Sequence, residues 1–276
     1  MEFNIKGVDI SNNNNLSDLS TLSNNGVEYL YLKATEGATF KDSTSINRYH
    51  RAKELGMKVG FYHFLVSTSS PQQQAESFYN YIKDFDNDLV PMLDVERDWN
   101  GMSNATVEFI DHFKEISGDM NLGIYTYTGF MSNFTQKAID VIKDIPCWIA
   151  NYRKDYAGVD TGFFTNIVGW QYSENGTIGS FTGDCNVFNE KCLISSKGGW
   201  KQNDKGWWYE YQDGSYPISK WFQVDGDWYY ADDKGYCYQN RWLKDKDKWY
   251  YFKDNCKMAH GETLSYSFNS DGEFVQ

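Results

Sequence analysis

The sequence has no run of about 18 apolar residues, so no segment is expected to span a membrane. Its opening stretch, MEFNIKGVDIS, has neither a basic n-region nor an apolar h-region, and no secretory leader is expected there. The expectation is a soluble chain made in the cytoplasm, which something else must release if its target lies outside the membrane. Basic excess is missing too. The 26 Lys and Arg stand against 38 Asp and Glu, a net charge of −12, which argues against nucleic acid as the main partner. Five cysteines (Cys147, Cys185, Cys192, Cys237 and Cys256) are odd in number and show no C-x-x-C spacing. They indicate neither a disulfide framework nor a zinc site, and Cys185 and Cys192 read as structural or incidental. Nothing in the sequence calls for a cofactor or a metal.

With 276 residues, the chain suits one large domain or a domain of about 200 residues with an appendage. The charge distribution favours the second division. Residues 1–196 carry 15 basic and 25 acidic side chains, whereas residues 197–276 carry 11 and 13.

The first part alternates short β-rich runs with amphipathic stretches. Strands are expected at 5–11, 27–34, 57–66, 89–96 and 122–128, with helices at 45–55, 72–85, 104–116 and 132–145. In the third helix Val107, Phe109, Ile110, Phe113 and Ile116 recur near a 3.6-residue period. Three more runs, at 146–151, 167–173 and 185–189, follow without room for full helices. Five βα units and then three strands predict an irregular (β/α)5β3 TIM-like barrel in the α/β class. Chemistry in such barrels gathers at the carboxyl ends of the strands.

The acids obey that rule. In LVPMLDVERDW (89–99), an apolar run leads directly into Asp94 and Glu96, and strand residues i and i+2 share a face. Two carboxylates placed side by side disfavour each other's ionisation, and burial raises both pKa values further. Taken alone, a D-x-E is more often two solvated loop acids. Here Asp9 ends the first run, Glu36 follows the second and Asp184 precedes the last, so one rim gathers acids from distant parts of the chain.

After SSKGG (195–199) the character changes. Seven of the ten tryptophans lie in the last 80 residues. Trp200, Trp221 and Trp242 are 21 residues apart, as are Trp207, Trp228 and Trp249, and Tyr209, Tyr230 and Tyr251. The same step carries Gly214 to Gly235 and then meets Cys256. A fixed period of this length predicts a small all-β hairpin solenoid, each unit too small to bury a core alone. Each copy reads as a W-Y-Y-type strand, a D-G or K-G turn and a second strand. Residues 265–274 read as a shortened fourth copy. Trp228 and Tyr230 share one strand face, and a neighbouring hairpin supplying Trp221 or Trp242 would complete an aromatic cage.

The motifs GVDIS, ATEG, YHF, MLDVE, IYTY, CWIANY, GWQYS and GDCNVF, in that order, resemble glycoside hydrolase family 25, the Chalaropsis-type lysozymes. The 21-residue repeats resemble choline-binding repeats of cell-wall hydrolases, and together the two parts look like a modular endolysin or autolysin. The resemblance implies a catalytic domain at 1–194, a linker at 195–199 and wall-binding repeats at 200–276. It implies an N-acetylmuramidase that hydrolyses the bond between N-acetylmuramic acid and N-acetylglucosamine in peptidoglycan. Glu96 would be the general acid, with Asp94 beside it and Asp9 and Asp184 across the floor. That assignment agrees with the chemistry, because a crowded set of acids keeps one protonated while the others stay charged. Retention can use a carboxylate nucleophile or the substrate's own acetamido oxygen; the second route is favoured, with Asp94 orienting the acetamido N–H.

Tyr62, Tyr125, Trp148, Tyr152 and Gln171 fall at strand ends within those motifs and suit a sugar face, although core packing competes as a role for Tyr62 and Trp148. His63 reads as a satisfied core histidine. Lys33 and Glu36 suit either substrate contact or a rim ion pair that shapes the cleft. In the repeats, Trp207, Trp221, Trp228, Tyr230, Trp242, Trp249 and Tyr251 are the expected wall-binding residues. Their ligand would be choline on teichoic acid or another wall saccharide, and the repeats could also pair two copies of the chain. Two alternatives compete. One is a non-catalytic wall binder on a decayed barrel, which would have no need of the crowded acids. The other is a chitinase-like hydrolase, which would need a D-x-x-D-x-D-x-E-type stretch that is absent.

Overall fold

The computed structural model describes residues 3–16, 18–118, 120–194, 198–211, 215–224, 227–265, 267–271 and 274–275, without the side chains of 267, 268, 274 and 275. Gly214, most of the expected linker (195–197) and part of the shortened fourth copy lie outside the described residues. The chain divides into two compact units, Met1–Ile194 and Ser195–Gln276.

The first unit is a closed eight-stranded barrel. Its strands are β1 (Ile5–Ile10), β2 (Tyr29–Glu36), the two-residue flap β3 (Phe40–Lys41), β4 (Lys58–Phe64), β5 (Met92–Asp94), β6 (Gly123–Tyr127), β7 (Cys147–Ala150), β8 (Ile167–Ile178) and β9 (Phe181–Phe188). β3 hangs on β2, and the other eight close because β1 pairs with both β2 and β9. Pairing is parallel from β1 through β8, whereas β9 runs antiparallel to β8 and β1. Helices α1 (Ser20–Ser23), α2 (Ser45–Glu54), α3 (Pro71–Ile82), α4 (Met102–Ser117) and α5 (Gln136–Ile142) fill the connections as far as β7. This is the expected (β/α)5β3 plan.

Local chemistry sets the boundaries. β5 begins at Met92 rather than Leu89 because Pro91 has no N–H to give a ladder; Leu89 makes only an isolated bridge to Leu193. The helix expected at 132–145 starts at Gln136, where the Thr135 side chain caps the Ala138 N–H, and a 3-10 turn (Thr128–Asn133) precedes it. α3 starts where Ser70 caps the Gln73 N–H and Pro71 takes the first helical position.

Strand alternation divides the barrel's apolar residues into two layers. Val8, Ile10, Leu30, Leu32, Val59, Phe61, Leu93 and Ile124 face the helices, where Phe78, Phe109 and Phe113 meet them. Tyr29, Tyr31, Met92, Trp148 and Phe188 form a separate cluster in the lumen. A β-carbon on Gly7 or Gly169 would run into the Phe188 ring, so these glycines clear the space that the ring fills. Tyr31 stacks on Trp148 with ring centroids 5.0 Å apart, and Phe188 lies 5.5 Å from Trp148. These rings plug the barrel below its carboxyl-end rim.

The second unit is a series of two-stranded hairpins: β10–β11 (Gly199–Asn203, Gly206–Glu210), β12–β13 (Lys220–Val224, Asp227–Ala231), β14–β15 (Arg241–Asp245, Lys248–Phe252) and β16–β17 (Ser267–Phe268, Phe274–Val275). The expected hairpin phase is corrected here. Each W-Y-Y-type strand is the second strand of its hairpin and pairs backward, Trp221 opposite Tyr230 and Trp242 opposite Tyr251. In the third copy the two-residue turn has φ +46° at Lys246 and +64° at Asp247, the type I′ shape that matches strand twist. The turn that follows W-Y-Y closes only single bridges, Ala231 to Cys237 and Phe252 to Met258. Gly199, the last residue of the expected linker, pairs with Glu210 in the first hairpin. Tyr209, Phe222, Val224, Tyr229, Ala231, Cys237 and Cys256 form this unit's small core. All five cysteines are free and buried.

Candidate active site

Four carboxylates meet at the rim. Asp9 stands on the lumen face of β1, one residue past Val8, which pairs with Cys185 of antiparallel β9; the same register carries Asp184 opposite Asp9. Asp94 ends β5. Val95 turns outward and is fully buried, and Glu96 returns to the site side, so the i, i+2 parity read from the sequence persists past the strand.

A polar network fixes Asp9. The Gln171 side chain donates from Nε2 to Asp9 Oδ1 (3.0 Å), and Asn186 donates from Nδ2 to the same oxygen (2.7 Å). The Tyr125 and Tyr152 hydroxyls donate to Gln171 Oε1 at 3.0 and 3.3 Å. Trp148 donates from Nε1 to Asn186 Oδ1 (2.9 Å). Asp94 is held differently: its Oδ1 is buried with no hydrogen-bond partner among the described residues. A buried carboxylate oxygen left unpaired is costly, and it marks a place where a ligand donor would be rewarded.

Burial raises the pKa of all four acids. Asp184 is pushed up to about 8 by burial, with Asp9, Glu174 and Glu96 adding repulsion. Asp9 rises to about 6, since burial outweighs its bonds from Asn186 and Gln171. Asp94 is raised well above the carboxylate range by burial and by Glu96. Glu96 is raised by burial and held back by Arg97 and Lys33. All four shifts favour the protonated forms.

Two depressions flank the acids. One of about 410 Å³ is lined by Glu96, Tyr125, Tyr127, Asn151 and Tyr152. The other, about 640 Å³, is lined by Lys33, Glu36, Phe40, Arg97, Asp98 and Trp99 among others. The chain crosses from one to the other between Glu96 and Arg97. Lys33 and Glu36 form a rim ion pair at 2.6 Å. A bulge in β2 between Lys33 and Thr35 allows this, because it lets residues three apart share a strand face.

The other expected site residues divide. Tyr62 is half-buried, and its hydroxyl is held protonated by burial and by Asp9, Asp94 and Asp184. Tyr125 is buried, while Tyr152 is 53 % exposed at the groove. Trp148 is 2 % exposed, so its ring packs in the lumen and reaches the site through its bond to Asn186 and through a ring contact with Tyr125 at 4.6 Å. His63 is fully buried between Thr35 (2.7 Å) and Gln74 (3.2 Å), and burial drops its pKa to about 3, so it is a neutral core histidine. Sequence reasoning missed Asn186, although its place two residues after Asp184 on a strand signals a shared face. It also missed Arg97, which lies in irregular backbone with no period to mark it.

In the repeats the Trp221 ring meets Trp228 at 6.2 Å and 83° and Tyr230 at 5.5 Å and 75°, so all three walls come from one hairpin rather than two. Trp221 also packs 4.9 Å from Tyr250 of the next hairpin and donates to Asp245 (2.9 Å). Trp228, Trp242 and Trp249 are exposed, Trp207 is half-buried, and Tyr251 lies 5.1 Å from Trp242.

A carboxylate-lined barrel rim with paired acids at a strand end is the arrangement of a glycosidase. The chain belongs to the glycosyl hydrolases family 25, whose profile matches residues 8–181. The cell wall binding repeat profile matches residues 219–237 and 240–255. The autolytic lysozyme of Clostridium acetobutylicum is 34% identical over 196 residues, 69% of this chain and 57% of that protein. The chain thus spans little more than half the length of that relative. Among solved structures, the modular Cpl-1 endolysin complexed with a peptidoglycan analogue aligns over 100% of this chain and 83% of its own, with TM-score 0.50 and 29% identity. The pneumococcal cell wall endolysin of phage Cp-1 complexed with choline aligns over the same shares, with TM-score 0.50 and 28% identity.

Proposed function

We propose that this protein is a peptidoglycan N-acetylmuramidase of the endolysin or autolysin type, with catalysis in residues 1–194 and wall attachment in residues 200–276. The observation that carries the reading is the buried, unpartnered Asp94 Oδ1 beside Glu96. Glu96 donates its proton to the leaving glycosidic oxygen. It suits this task because burial raises its pKa while it still lines an open groove. Asp94 accepts the acetamido N–H of the sugar being cleaved. That contact turns the acetamido carbonyl oxygen toward the anomeric carbon, which it attacks as the glycosidic bond breaks. Glu96, now ionised, then takes a proton from the water that opens the cyclic intermediate. Asp9 and Asp184 lie beneath the oxocarbenium-like centre, Asp9 being the more readily ionised of the two and the one that supplies negative charge, and Gln171 and Asn186 hold Asp9 in position.

In the repeats, Trp228 and Tyr230 stand nearly perpendicular to Trp221 and form a corner suited to a quaternary ammonium group such as choline. The same unit already seats a cation on an aromatic face, Arg241 lying 3.6 Å over Tyr238. The choline-bound relative adds support. The deciding experiment is a digest of purified cell wall with identification of the new reducing ends. Muramic acid ends support the reading; glucosamine ends, or none, reject it.

A further inference from the structure

The groove lined by Lys33, Glu36 and Arg97 contains two cations in unequal circumstances. Lys33 is matched by Glu36 at 2.6 Å. Arg97 has no such ion pair. Its guanidinium carbon lies 4.8 Å from the centre of the Phe64 ring, over which Lys33 Nζ also lies at 4.8 Å, and it makes no ion pair or hydrogen bond among the described residues, although its charge acts on neighbouring Glu96. Asp98 lines the same groove without pairing with it. A guanidinium over a ring keeps N–H donors directed away from it, and such donors can bind a carboxylate through two parallel hydrogen bonds. Arg97 also follows Glu96 directly in the chain and acts on it through charge, so the groove it lines adjoins the one that holds the general acid.

We propose that Arg97 is a seat for a carboxylate of the substrate. The inference rests on the muramidase reading. In such a substrate the sugar whose anomeric carbon is attacked bears a lactyl ether, and its carboxyl is either free or extended by an acidic peptide. A chain of net charge −12 with four carboxylates in its site repels an anionic strand. One unpaired cation beside the general acid offsets that repulsion locally and discriminates muramyl from glucosaminyl residues at the cleaved position.

The test uses the full chain, Arg97→Met and Arg97→Lys on three substrates near 0.15 M salt, where the Debye length is about 8 Å and distant charges are screened. The substrates are glycan strands freed of peptide, the same strands with their carboxyls amidated, and strands that keep their peptides. Wild type should show a KM roughly five- to tenfold lower on the free carboxylate than on the amidated strand. Arg97→Met should treat the two alike, and Arg97→Lys should fall between, with kcat changing less than KM. If the preference appears only with peptide-bearing strands, the carboxylate comes from the peptide and the seat still stands. If Arg97→Met keeps the wild-type preference, or wild type shows none on any strand, the seat is overturned. Absence of cleavage on every strand would instead overturn the muramidase reading beneath it.

Discussion

The barrel and the hairpin series use aromatic residues in opposite ways. In the barrel, Tyr31, Trp148 and Phe188 are sealed inside, where they exclude water and hold acids in a low-dielectric setting that shifts their ionisation. In the hairpins, Trp228, Trp242 and Trp249 are 42 %, 54 % and 62 % exposed, and the buried core is small. Burial perturbs titration, whereas exposure offers rings to a ligand. Chemistry is therefore expected in one unit and recognition in the other, and each can be damaged separately.

The largest separation should come from Glu96→Gln. It keeps the shape and loses the proton, so cleavage of isolated glycan strands should fall by roughly 10²–10⁴. Wall binding should stay at the wild-type value, and the melting temperature should be no lower than that of wild type, since a buried acid with a raised pKa is replaced by a neutral amide. Retention of activity within about tenfold, short of the roughly 10²-fold bottom of that range, would remove Glu96 from the role. Asp94→Asn should be nearly as severe, because a neutral amide cannot become the carboxylate that polarises the acetamido N–H.

A chain ending at Ile194 should make the converse cut. It should cleave isolated strands at the full-length rate and lyse intact cells roughly 10²-fold more slowly, since tethering to the wall supplies effective concentration. Equal lysis by both chains would show that the repeats contribute nothing to targeting.

Asp184→Asn sharpens the contrast through pH. A carboxyl raised from 3.8 to about 8 in the folded state binds its proton more tightly folded than unfolded. Its penalty is therefore absent below the unfolded value, grows as pH rises through the window from 3.8 to about 8, and is complete above it. The variant should melt several degrees higher than wild type at pH 8.5 and level with it at pH 3.5 by calorimetry, for a gain on the order of a few kcal/mol at most. A gain independent of pH would mean that charge is not its cause.

The smallest effect belongs to Trp228→Ala. Retention on an immobilised quaternary amine should weaken roughly five- to thirtyfold, the worth of one desolvated cation–π wall at about 1–2 kcal/mol. Millimolar choline should elute the wild-type chain. Wall binding insensitive to choline would point instead to stacking of sugars on the same rings.

How much was legible follows from periodicity. Asp94 and Glu96 could be paired from sequence because strand alternation is strict, and the α4 stripe could be read because Val107, Phe109, Ile110 and Phe113 keep helical spacing. The hairpin phase could not be read, because Trp228–Tyr230 is flanked by turn residues on both sides and alternation does not say which neighbour it pairs with. Trp148 misled for a related reason: it ends a strand, but its face points down the lumen at Tyr31 and Phe188 rather than up at the rim. The Lys33–Glu36 contact depended on a bulge, which shifts parity without any signature in composition.

Phe188, seated over Gly7 and Gly169, has a consequence for traffic. With the barrel stoppered beneath the acids, the site is a vessel with one mouth. Water displaced by an arriving strand and water needed to finish hydrolysis must use the opening that the strand itself covers. The substrate thus acts as the stopper at the other end, and the order in which its two halves leave decides when the second water can get in.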